Sequence, residues 1–396
     1  MCSSQNNKIR ILRIITRMNI GGPSYHVVNC TKELCNFGYE TRLLSGMPNN
    51  DEGSMLHLAK ENNISVKIID GLGRAISPIN DLKALLQIIK EIKEFKPQII
   101  HTHTTKAGIL GRLAALICGV PLIYHTYHGN VFKGYFSKLF TQAIIGIERI
   151  FAAFSTNIIA LTPNLAEELQ QLLRLKNLDK IQIIPLGLDL KRFLDKPRKS
   201  TNWRESIGLT QEEILIGIVA RLVPIKNHRM LVSSMNILAK SFPNLHLAII
   251  GMGEEEDKLR ALTNELNLTE KIHFCGISNK MEDIYSDLDL LVLCSKNEGT
   301  PVVIIEALAA GCPVAATNVG GVAELFQNSK SGFLLPLEEK AFTNKLFEIL
   351  KTIRNQSVNE NTRKQITEYY SVQKLAANLN KLYELNQRPV GKSMNS

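Results

Sequence analysis

The sequence predicts an α/β protein built from two doubly wound, Rossmann-like domains that face each other across a cleft. Three observations lead to this prediction. Apolar runs of strand length alternate with amphipathic runs of helix length, and the alternation occurs in two separate series. A polar stretch, residues 196–201 (KPRKST), separates the two series. The chain of 396 residues is long enough for two domains with separate cores.

The first series begins with an apolar run, followed by a glycine turn at Gly21 and Gly22 and a helix that stops before Gly38. The predicted strands cover residues 9–16, 41–44, 66–69, 98–103, 122–127, 157–161 and 181–184. The predicted helices cover residues 23–36, 83–96, 106–118, 138–154 and 166–173. This alternation is typical of a parallel sheet covered by helices, and we assign it to an N-terminal domain of residues 1–195.

The second series repeats the pattern and predicts a C-terminal domain of residues 196–370. Its predicted strands cover residues 215–219, 246–250, 272–274, 289–294 and 312–317. Its predicted helices cover residues 227–240, 255–266 and 302–310, and residues 342–385 are largely helical. We expect residues 371–396 to form a C-terminal helix that crosses back to the N-terminal domain, followed by a disordered tail.

The charge is positive and uneven. The formal net charge is +10, and residues 1–190 hold 21 Lys and Arg against 14 Asp and Glu. A basic N-terminal half suggests an anionic partner, which could be a phosphate compound, a membrane surface or nucleic acid. The predicted helix 83–96 carries lysines along one side, either as an ordinary solvated face or as a membrane contact.

The cysteines indicate the compartment. The seven cysteines are scattered without a CxxC pair, so the sequence predicts neither a disulfide framework nor a zinc site, and a reducing cytoplasm fits best. We expect no secretory signal, because the first apolar run has only the length of a strand. The longest uncharged stretch, residues 113–132, is interrupted by glycine, proline and histidine, so we expect no membrane span.

A candidate site lies in the segment EGTPVVIIEALAAGCPVAAT, residues 298–317. Thr300 is a plausible N-cap and Pro301 suits the first helical position. Glu298 would then lie in the loop after one strand, and Glu306 on the helix that follows. Because ligands bind at the carboxyl ends of strands in an open parallel sheet, both carboxylates are candidates for binding. The alternative is that Glu306 faces solvent.

Several motifs in order resemble glycosyltransferase family 4, whose members have the two-domain GT-B fold. They are the Glu298-x7-Glu306 segment, the loop ARLVPIKN at residues 220–227, the turn IPLGLD at residues 184–189 and the glycine pair at residues 21 and 22. Two further segments, HTHTTKAGILGRLAA (residues 101–115) and HTYHGNVFKGYFS (residues 125–137), resemble a bacterial branch that builds surface polysaccharides and lipid-linked oligosaccharides.

The resemblance implies a nucleotide-sugar site in the C-terminal domain. Arg221 and Lys226 would bind the diphosphate and stabilise it as it leaves. The N-terminus of the helix near Thr300, Pro301 and Val302 would offer free N–H groups to the same anion.

The remaining donor contacts follow from the same resemblance. Glu306 would accept hydrogen bonds from the ribose and Glu298 from the donor sugar. The turn Gly251-Met252-Gly253 would lie near the nucleotide, although a G-x-G by itself is weak evidence.

In the N-terminal domain, Gly21 and Gly22 would let the backbone approach the donor closely. His128 matches the histidine that contacts the donor sugar near the reaction centre, unless it is a structural residue before Gly129. We therefore expect His128, Glu298, Arg221 and Lys226 to carry catalysis. For His101, His103 and His125, which end or lie on predicted strands, we expect packing or hydrogen-bonding roles.

The resemblance implies retention of the anomeric configuration, with the leaving phosphate taking the acceptor's proton. We expect no metal or other cofactor. The pair Asp287 and Asp289 matches the D-x-D of metal-dependent transferases, but it runs into a predicted buried strand. We therefore interpret it as the start of that strand. UDP is favoured over GDP as the nucleotide.

The expected function is transfer of a hexose or N-acetylhexosamine to a glycan or polyprenyl-diphosphate-linked acceptor in surface polysaccharide biosynthesis. The expected place is the cytoplasm, with peripheral membrane contact through the N-terminal domain. We expect no binding to nucleic acid. The alternatives are a GT-B phosphorylase, a nucleotide-sugar epimerase and, in another class, a non-catalytic basic protein that binds nucleotides or nucleic acid.

Overall fold

The computed structural model describes residues 8–19, 21–48, 53–73, 75–129, 138–199, 203–327 and 331–387. The chain divides into two compact units. Unit 1 comprises Met1–Leu188 and Tyr370–Ser396, and unit 2 comprises Asp189–Tyr369. The predicted disordered tail lies largely outside the described residues. Among the described residues, no helix combines the length and apolar character that spanning a membrane requires.

Unit 1 contains a parallel sheet of seven strands in the order β3-β2-β1-β4-β5-β6-β7. The strands are β1 (Arg10–Arg17), β2 (Glu40–Gly46), β3 (Val66–Ile68), β4 (Ile99–His103), β5 (Leu122–Tyr127), β6 (Asn157–Ala160) and β7 (Ile181–Ile183). The helices are α1 (Gly22–Asn36), α2 (Leu56–Glu61), α3 (Pro78–Phe95), α4 (Thr105–Ile117), α5 (Lys138–Phe154), α6 (Pro163–Leu173) and α16 (Val372–Gln387).

The central strands of unit 1 are buried along most of their length, as expected for a parallel sheet covered by helices. The order of strands reverses between β1 and β4, which are neighbours with Ile15 opposite His103. This reversal is the topological switch point, where the loops after the two strands diverge and leave a crevice. Polar residues at the ends of β1 and β4 are therefore candidates for ligand binding.

The last helix, α16, packs in the core of unit 1. Its residues Leu375, Leu379 and Tyr383 lie in one apolar cluster with Ile11 of β1 and Leu34 of α1. The turn IPLGLD, residues 184–189, makes room for this helix. A Cβ atom on Gly187 would come within 2.7 Å of Leu375 Cδ2 and 3.0 Å of Val372 Cα. Glycine is needed there because a side chain would displace the helix.

Unit 2 contains a parallel sheet of six strands in the order β10-β9-β8-β11-β12-β13. The strands are β8 (Ile214–Val219), β9 (Leu245–Ile250), β10 (Ile272–Gly276), β11 (Leu290–Leu293), β12 (Val314–Thr317) and β13 (Gly332–Leu335). The helices are α7 (Lys191–Leu194), α8 (Trp203–Ser206), α9 (His228–Ser241), α10 (Glu256–Glu265), α11 (Met281–Asp287), α12 (Val302–Ala309), α13 (Val322–Leu325), α14 (Glu339–Leu350) and α15 (Glu360–Tyr369). The switch point of this sheet lies between β8 and β11.

The predicted class, two doubly wound parallel α/β domains, is confirmed. The boundary lies at Leu188 and Asp189, earlier than the predicted 195/196. The reason is that α7 packs within unit 2, where Arg363 donates hydrogen bonds to the carbonyls of Phe193 and Leu194.

The prediction for the start of α12 was wrong by one residue. Pro301, not Thr300, is the N-cap, because the ψ angle of Pro301 is 108° and its backbone is still extended. The helix begins at Val302, and Gly311 follows its C-cap with a φ of 87°, the left-handed position expected of it.

Candidate active site

The switch point of unit 2 brings two charged residues together. Lys226 lies in the loop after β8 and Glu298 in the loop after β11, and the Lys226 Nζ and Glu298 Oε1 atoms are 2.5 Å apart. The Ser295 hydroxyl donates a second hydrogen bond of 2.6 Å to the same carboxylate oxygen. Both side chains of the ion pair are partly accessible, so an incoming anion could contact the lysine.

The loop that carries Glu298 is held by glycine backbone. A Cβ atom on Gly320 would lie 1.7 Å from the Glu298 carbonyl oxygen, and Gly320 has a φ of 54°. The Gly321 amide also donates to the Gly299 carbonyl at 3.1 Å. This close approach fixes the segment that leads into Thr300, Pro301 and α12. The α12 N-terminus thus presents its first amides beside a positioned carboxylate.

Glu306 lies on α12 in a weakly hydrated environment. Removal from water raises the pKa of its carboxyl to about 7, while a hydrogen bond from the Tyr285 hydroxyl, 3.1 Å from Oε2, acts in the opposite direction. The helix around it is apolar, with Ile304, Ile305 and Leu308 buried. Near neutral pH Glu306 therefore changes between a carboxylic acid and a carboxylate.

The other predicted donor-site residues of unit 2 flank this region. Arg221 is exposed on the loop after β8. A Cβ atom added to Gly251 would lie 2.0 Å from the carbonyl oxygen of Ala220. A Cβ atom added to Gly253 would lie 2.4 Å from the carbonyl oxygen of Leu222. These two glycines therefore let the turn after β9 pack on the backbone of the Arg221 loop.

The two aspartates of the D-x-D pair, Asp287 and Asp289, form hydrogen bonds and ion pairs within unit 2. The Asp289 carboxylate is 2.9 Å from both Arg204 Nη2 and Lys199 Nζ and accepts the Leu215 amide at 2.8 Å. The Asp287 carboxylate accepts the Arg204 amide at 3.0 Å. Both aspartates are buried. They tie the start of unit 2 to β8 and to the segment before β11.

Unit 1 gathers three imidazoles around the carboxyl ends of β4 and β5. His103 ends β4, His128 follows β5, and His26 lies on α1. One ring nitrogen from each lies within 4.8 Å of the others, a spacing at which three histidines could hold a metal ion. His103 Nδ1 and His128 Nε2 are 3.1 Å apart. Both ring nitrogens of His26 are buried and have no hydrogen-bond partner among the residues that the structure describes.

These imidazoles are neutral at physiological pH. Burial lowers the pKa of His128 to about 4. Burial, followed by the charges of His128 and Arg13, lowers the pKa of His26 well below its ordinary value. Burial is also the main cause of the lowered pKa of His103. Smaller contributions to this lowering come from the charges of His101, His128, Arg13 and His26.

His101 and His125 make hydrogen bonds within the sheet. His101 Nε2 is 2.7 Å from Thr126 Oγ1, and His125 Nδ1 is 2.8 Å from Thr102 Oγ1. Both side chains are fully buried. The geometry thus gives them the hydrogen-bonding roles that their positions suggested.

Gly21 lies before the start of α1, and Gly22 is the first residue of that helix. Within the described part of the chain, a Cβ atom on Gly21 would meet only Pro23 Cδ, at 3.8 Å. Nearby, Thr104 has a φ of 67°, which is strained for a β-branched residue, and its hydroxyl lies 2.6 Å from that of Thr16. The two threonines join the ends of β1 and β4.

Sequence reasoning missed several residues at both switch points. In unit 2 these are Ser295, Tyr285 and Gly320, and in unit 1 they are Arg13 and His26. Neither of the last two left a local signal, because Arg13 lies in the apolar run of β1 and His26 lies in a helix that mixes buried and exposed positions.

The fold places the chain in the GT-B class of two-domain α/β proteins. Two family models match it, "Glycosyltransferase Family 4" over residues 20–192 and "Glycosyl transferases group 1" over residues 199–369. The chain belongs to glycosyltransferase family 4.

Curated relatives have the same character. The chain is 29% identical over 327 residues to the UDP-Gal:alpha-D-GlcNAc-diphosphoundecaprenol alpha-1,3-galactosyltransferase of Escherichia coli, covering 82% of this chain and 84% of the relative. It is also 29% identical to the capsular polysaccharide biosynthesis glycosyltransferase CapM of Staphylococcus aureus, over 78% of this chain and 82% of the relative. The phosphorylase, epimerase and nucleic-acid-binding alternatives are not favoured.

Among solved structures, HepE from Anabaena in complex with UDP superposes with a TM-score of 0.79 at 19% identity, over 95% of this chain and all of the other. The glycosyltransferase from Rickettsia africae superposes with a TM-score of 0.77 at 20% identity, over 97% of this chain and all of the other. At these identities the similarity concerns the fold.

Proposed function

We propose that this glycosyltransferase moves a hexose or N-acetylhexosamine, with retention of configuration, from a nucleoside-diphosphate sugar to a glycan or polyprenyl-diphosphate-linked acceptor in surface polysaccharide biosynthesis. The observation that carries the proposal is the Lys226–Glu298 pair at the switch point of unit 2, beside the N-terminus of α12. The named activity of the E. coli relative supports UDP as the nucleotide and a lipid-linked acceptor.

In this proposal unit 2 binds the donor. Lys226, Arg221 and the amides around Val302 hold the diphosphate, whose charge grows as the sugar bond breaks. An arriving diphosphate competes with Glu298 for Lys226. The Glu298 carboxylate then accepts hydrogen bonds from hydroxyl groups of the donor sugar, and the Glu306 carboxylate accepts hydrogen bonds from the ribose hydroxyls.

Unit 1 binds the acceptor and supplies His128 to the donor sugar. A neutral imidazole offers one N–H donor and one acceptor nitrogen, which suits a sugar hydroxyl. The acceptor hydroxyl attacks the anomeric carbon on the face of the sugar from which the phosphate departs, and its proton passes to the leaving phosphate oxygen. Retention follows because the new bond forms on that same face, and the route requires no protein base and no metal.

A panel of nucleotide sugars tests this function. We expect turnover, as slow hydrolysis or as transfer to a lipid-linked GlcNAc diphosphate, with a UDP-hexose or UDP-N-acetylhexosamine and little with GDP sugars. Activity should persist in EDTA, because the cations assigned to the diphosphate are Arg221 and Lys226. Each reaction is followed by release of nucleoside diphosphate, and NMR of the product reports the anomeric configuration.

Two results would contradict parts of the proposal separately. No turnover with any nucleotide sugar and no binding of UDP or GDP would remove the donor assignment. Complete loss of activity in EDTA, restored by Mg²⁺ or Mn²⁺, would instead add a metal to the site.

We also propose that unit 1 contacts the cytoplasmic leaflet of a membrane peripherally. Leu139, Ile147, Ile150 and Phe154 of α5 are exposed, and the last three recur at helical spacing on one face. The apolar-rich stretch of residues 135–154 is the segment that the sequence suggests for this contact, and its residues 135–137 lie outside the described residues. An excess of basic residues in residues 1–190 favours an anionic leaflet, since each Lys or Arg near it contributes about 1 kcal/mol.

Flotation with liposomes tests the membrane contact. We expect the protein to float with anionic vesicles at low salt and to be released at about 1 M salt, where the Debye length is about 3 Å. The double change Ile150→Ser and Phe154→Ser should weaken flotation, whereas Ile277→Ser, an exposed apolar residue of unit 2, should leave it unchanged. Protein that stays soluble with anionic vesicles at low salt would contradict the contact and leave the transferase assignment intact.

A further inference from the structure

A buried arginine stands behind the imidazoles of unit 1. Arg13 on β1 is fully buried, and among the described residues no carboxylate pairs with its guanidinium. Its Nη1 atom lies 3.2 Å from His101 Nδ1 and 3.3 Å from His103 Nε2, and its Nη2 atom donates to the Tyr383 hydroxyl at 3.2 Å. Burying a cation without a carboxylate is costly, so the position calls for an explanation.

The contact with His103 determines where that imidazole carries its proton. A guanidinium can only donate hydrogen bonds, so His103 Nε2 must accept through its lone pair. The ring is neutral because burial lowers its pKa well below the ordinary value. Its single proton is therefore on Nδ1.

The position of the His103 proton determines that of the His128 proton. His103 Nδ1 is 3.1 Å from His128 Nε2, and the protonated Nδ1 of His103 must be the donor of that hydrogen bond. His128 Nε2 then accepts. Because His128 is also neutral, its own proton must be on Nδ1.

We propose that Arg13 and His103 are positioning residues that hold His128 in the Nδ1–H tautomer through the hydrogen-bond chain Arg13–His103–His128. The chain fixes two things at once, the orientation of the His128 ring and the nitrogen from which it can donate. His128 is thereby prevented from acting as a base through Nε2, whose lone pair is already engaged.

The same contacts argue against a metal ion between His26, His103 and His128. To bind a metal through Nδ1, His103 would carry its proton on Nε2, where it would point at the donor group of Arg13. To bind through Nε2, it would have to give up the hydrogen bond from Arg13. With Arg13 in place, His103 has no lone pair free for a cation, and the guanidinium charge repels one.

The consequence for the reaction rests on the proposed function. A neutral His128 locked with its proton on Nδ1 is a fixed donor toward a sugar hydroxyl. A donor held in place before the reaction needs no reorganisation when charge develops on the sugar and phosphate.

His101 provides an internal reference with the opposite tautomer. Its Nδ1 lies 3.2 Å from Arg13 Nη1 and 2.6 Å from the Tyr383 hydroxyl, and its Nε2 is 2.7 Å from Thr126 Oγ1. Since Arg13 donates to Nδ1, the proton of neutral His101 is on Nε2. The structure thus assigns opposite tautomers to two stacked rings whose centroids are 4.4 Å apart.

Long-range ¹H–¹⁵N NMR on the full chain labelled with ¹⁵N-histidine tests this directly, because protonated and unprotonated ring nitrogens have distinct shifts. At neutral pH we expect protonated Nδ1 and unprotonated Nε2 at His103 and His128, and the reverse at His101. His128→Asn and His101→Asn spectra assign the signals. A His128 that carries its proton on Nε2, averages between tautomers, or is doubly protonated would overturn the proposal.

Two variants of His103 separate the hydrogen bond from packing. His103→Asn places an amide N–H near the position of Nδ1, so the His128 tautomer should persist. His103→Leu removes the donor, so His128 should become a mixture of tautomers and kcat/KM should fall roughly tenfold. The Tyr383→Phe change leaves the Arg13–His103 contact and should not alter His128. An unchanged His128 spectrum in a folded His103→Leu variant would also overturn the proposal. The panel of nucleotide sugars tests the transferase function independently of the tautomer.

Discussion

Replacing Lys226 with alanine is expected to lower kcat/KM by at least about 100-fold, which corresponds to about 2.7 kcal/mol of transition-state stabilisation. Two effects add. The diphosphate loses a cation that is placed for it, and Glu298, whose side chain is only 9% exposed, loses the partner that lies 2.5 Å away. The Arg221→Ala change should cost at least about tenfold, because Arg221 is exposed and has no such second effect.

The ligand itself supplies a control for Lys226. Calorimetry should show that Lys226→Ala weakens binding of UDP by about tenfold or more and leaves binding of uridine, which has no phosphate, nearly unchanged. Lys296→Ala, which removes an exposed lysine from the loop after β11, should behave like the parent protein. If Lys226→Ala lost equal affinity for UDP and for uridine, or kept full activity, the assignment of Lys226 to the diphosphate would be wrong.

Donor binding is expected to strengthen as the pH rises from 6 to 8, and Glu306→Gln should abolish most of that dependence. With a pKa of about 7, Glu306 is mostly a neutral acid at pH 6 and mostly a carboxylate at pH 8. The carboxylate is the better acceptor for ribose hydroxyls, so affinity follows its ionisation. At pH 8 the Glu306→Gln variant should have an affinity for a UDP-hexose that is about tenfold or more lower than that of the parent protein. At pH 6 the difference in affinity should be smaller.

The rest of unit 2 makes this profile easy to interpret. Burial lowers the pKa of His228 and of His246 to about 4, well below this range, and it also lowers that of His273. The diphosphate of a nucleotide sugar also stays ionised between pH 6 and 8. Glu348→Gln on the exposed face of α14 is the matched control. The same pH dependence in Glu306→Gln and in the parent protein would exclude Glu306 as the group responsible.

Fully buried strands were predicted accurately from the sequence, whereas short or partly exposed elements were missed. Strands such as β4 and β9 are uninterrupted buried runs, and they were predicted within a residue or so of their bounds. The strand β13 was missed, because only one of its four residues is buried and the run carries little periodic signal. The short helices α7 and α8 were missed for the same reason, and this moved the predicted boundary of unit 2.

The candidate residues divide in a similar way. Glu298 and Glu306 are close in sequence, so a loop followed by a helix was enough to relate them. Tyr285, which donates to Glu306, and Gly320, which packs on the Glu298 backbone, come from other elements and left no local signal. Arg13 lies in a strand whose apolar pattern concealed a buried cation.

The α/β class, the order of the elements and the candidate anion-binding segments can be read from the sequence, because these depend on periodicity, glycine turns and motifs within a few residues. Which segments meet depends on the folded chain. Lys226 and Glu298 are 72 residues apart, and they pair because β8 and β11 are neighbours although two strands separate them along the chain. His103 and His128 meet for a similar reason, since β4 and β5 lie side by side, and Arg13 reaches them from β1. Strand order depends on how the whole apolar surface is buried, and no local pattern in the sequence encodes that.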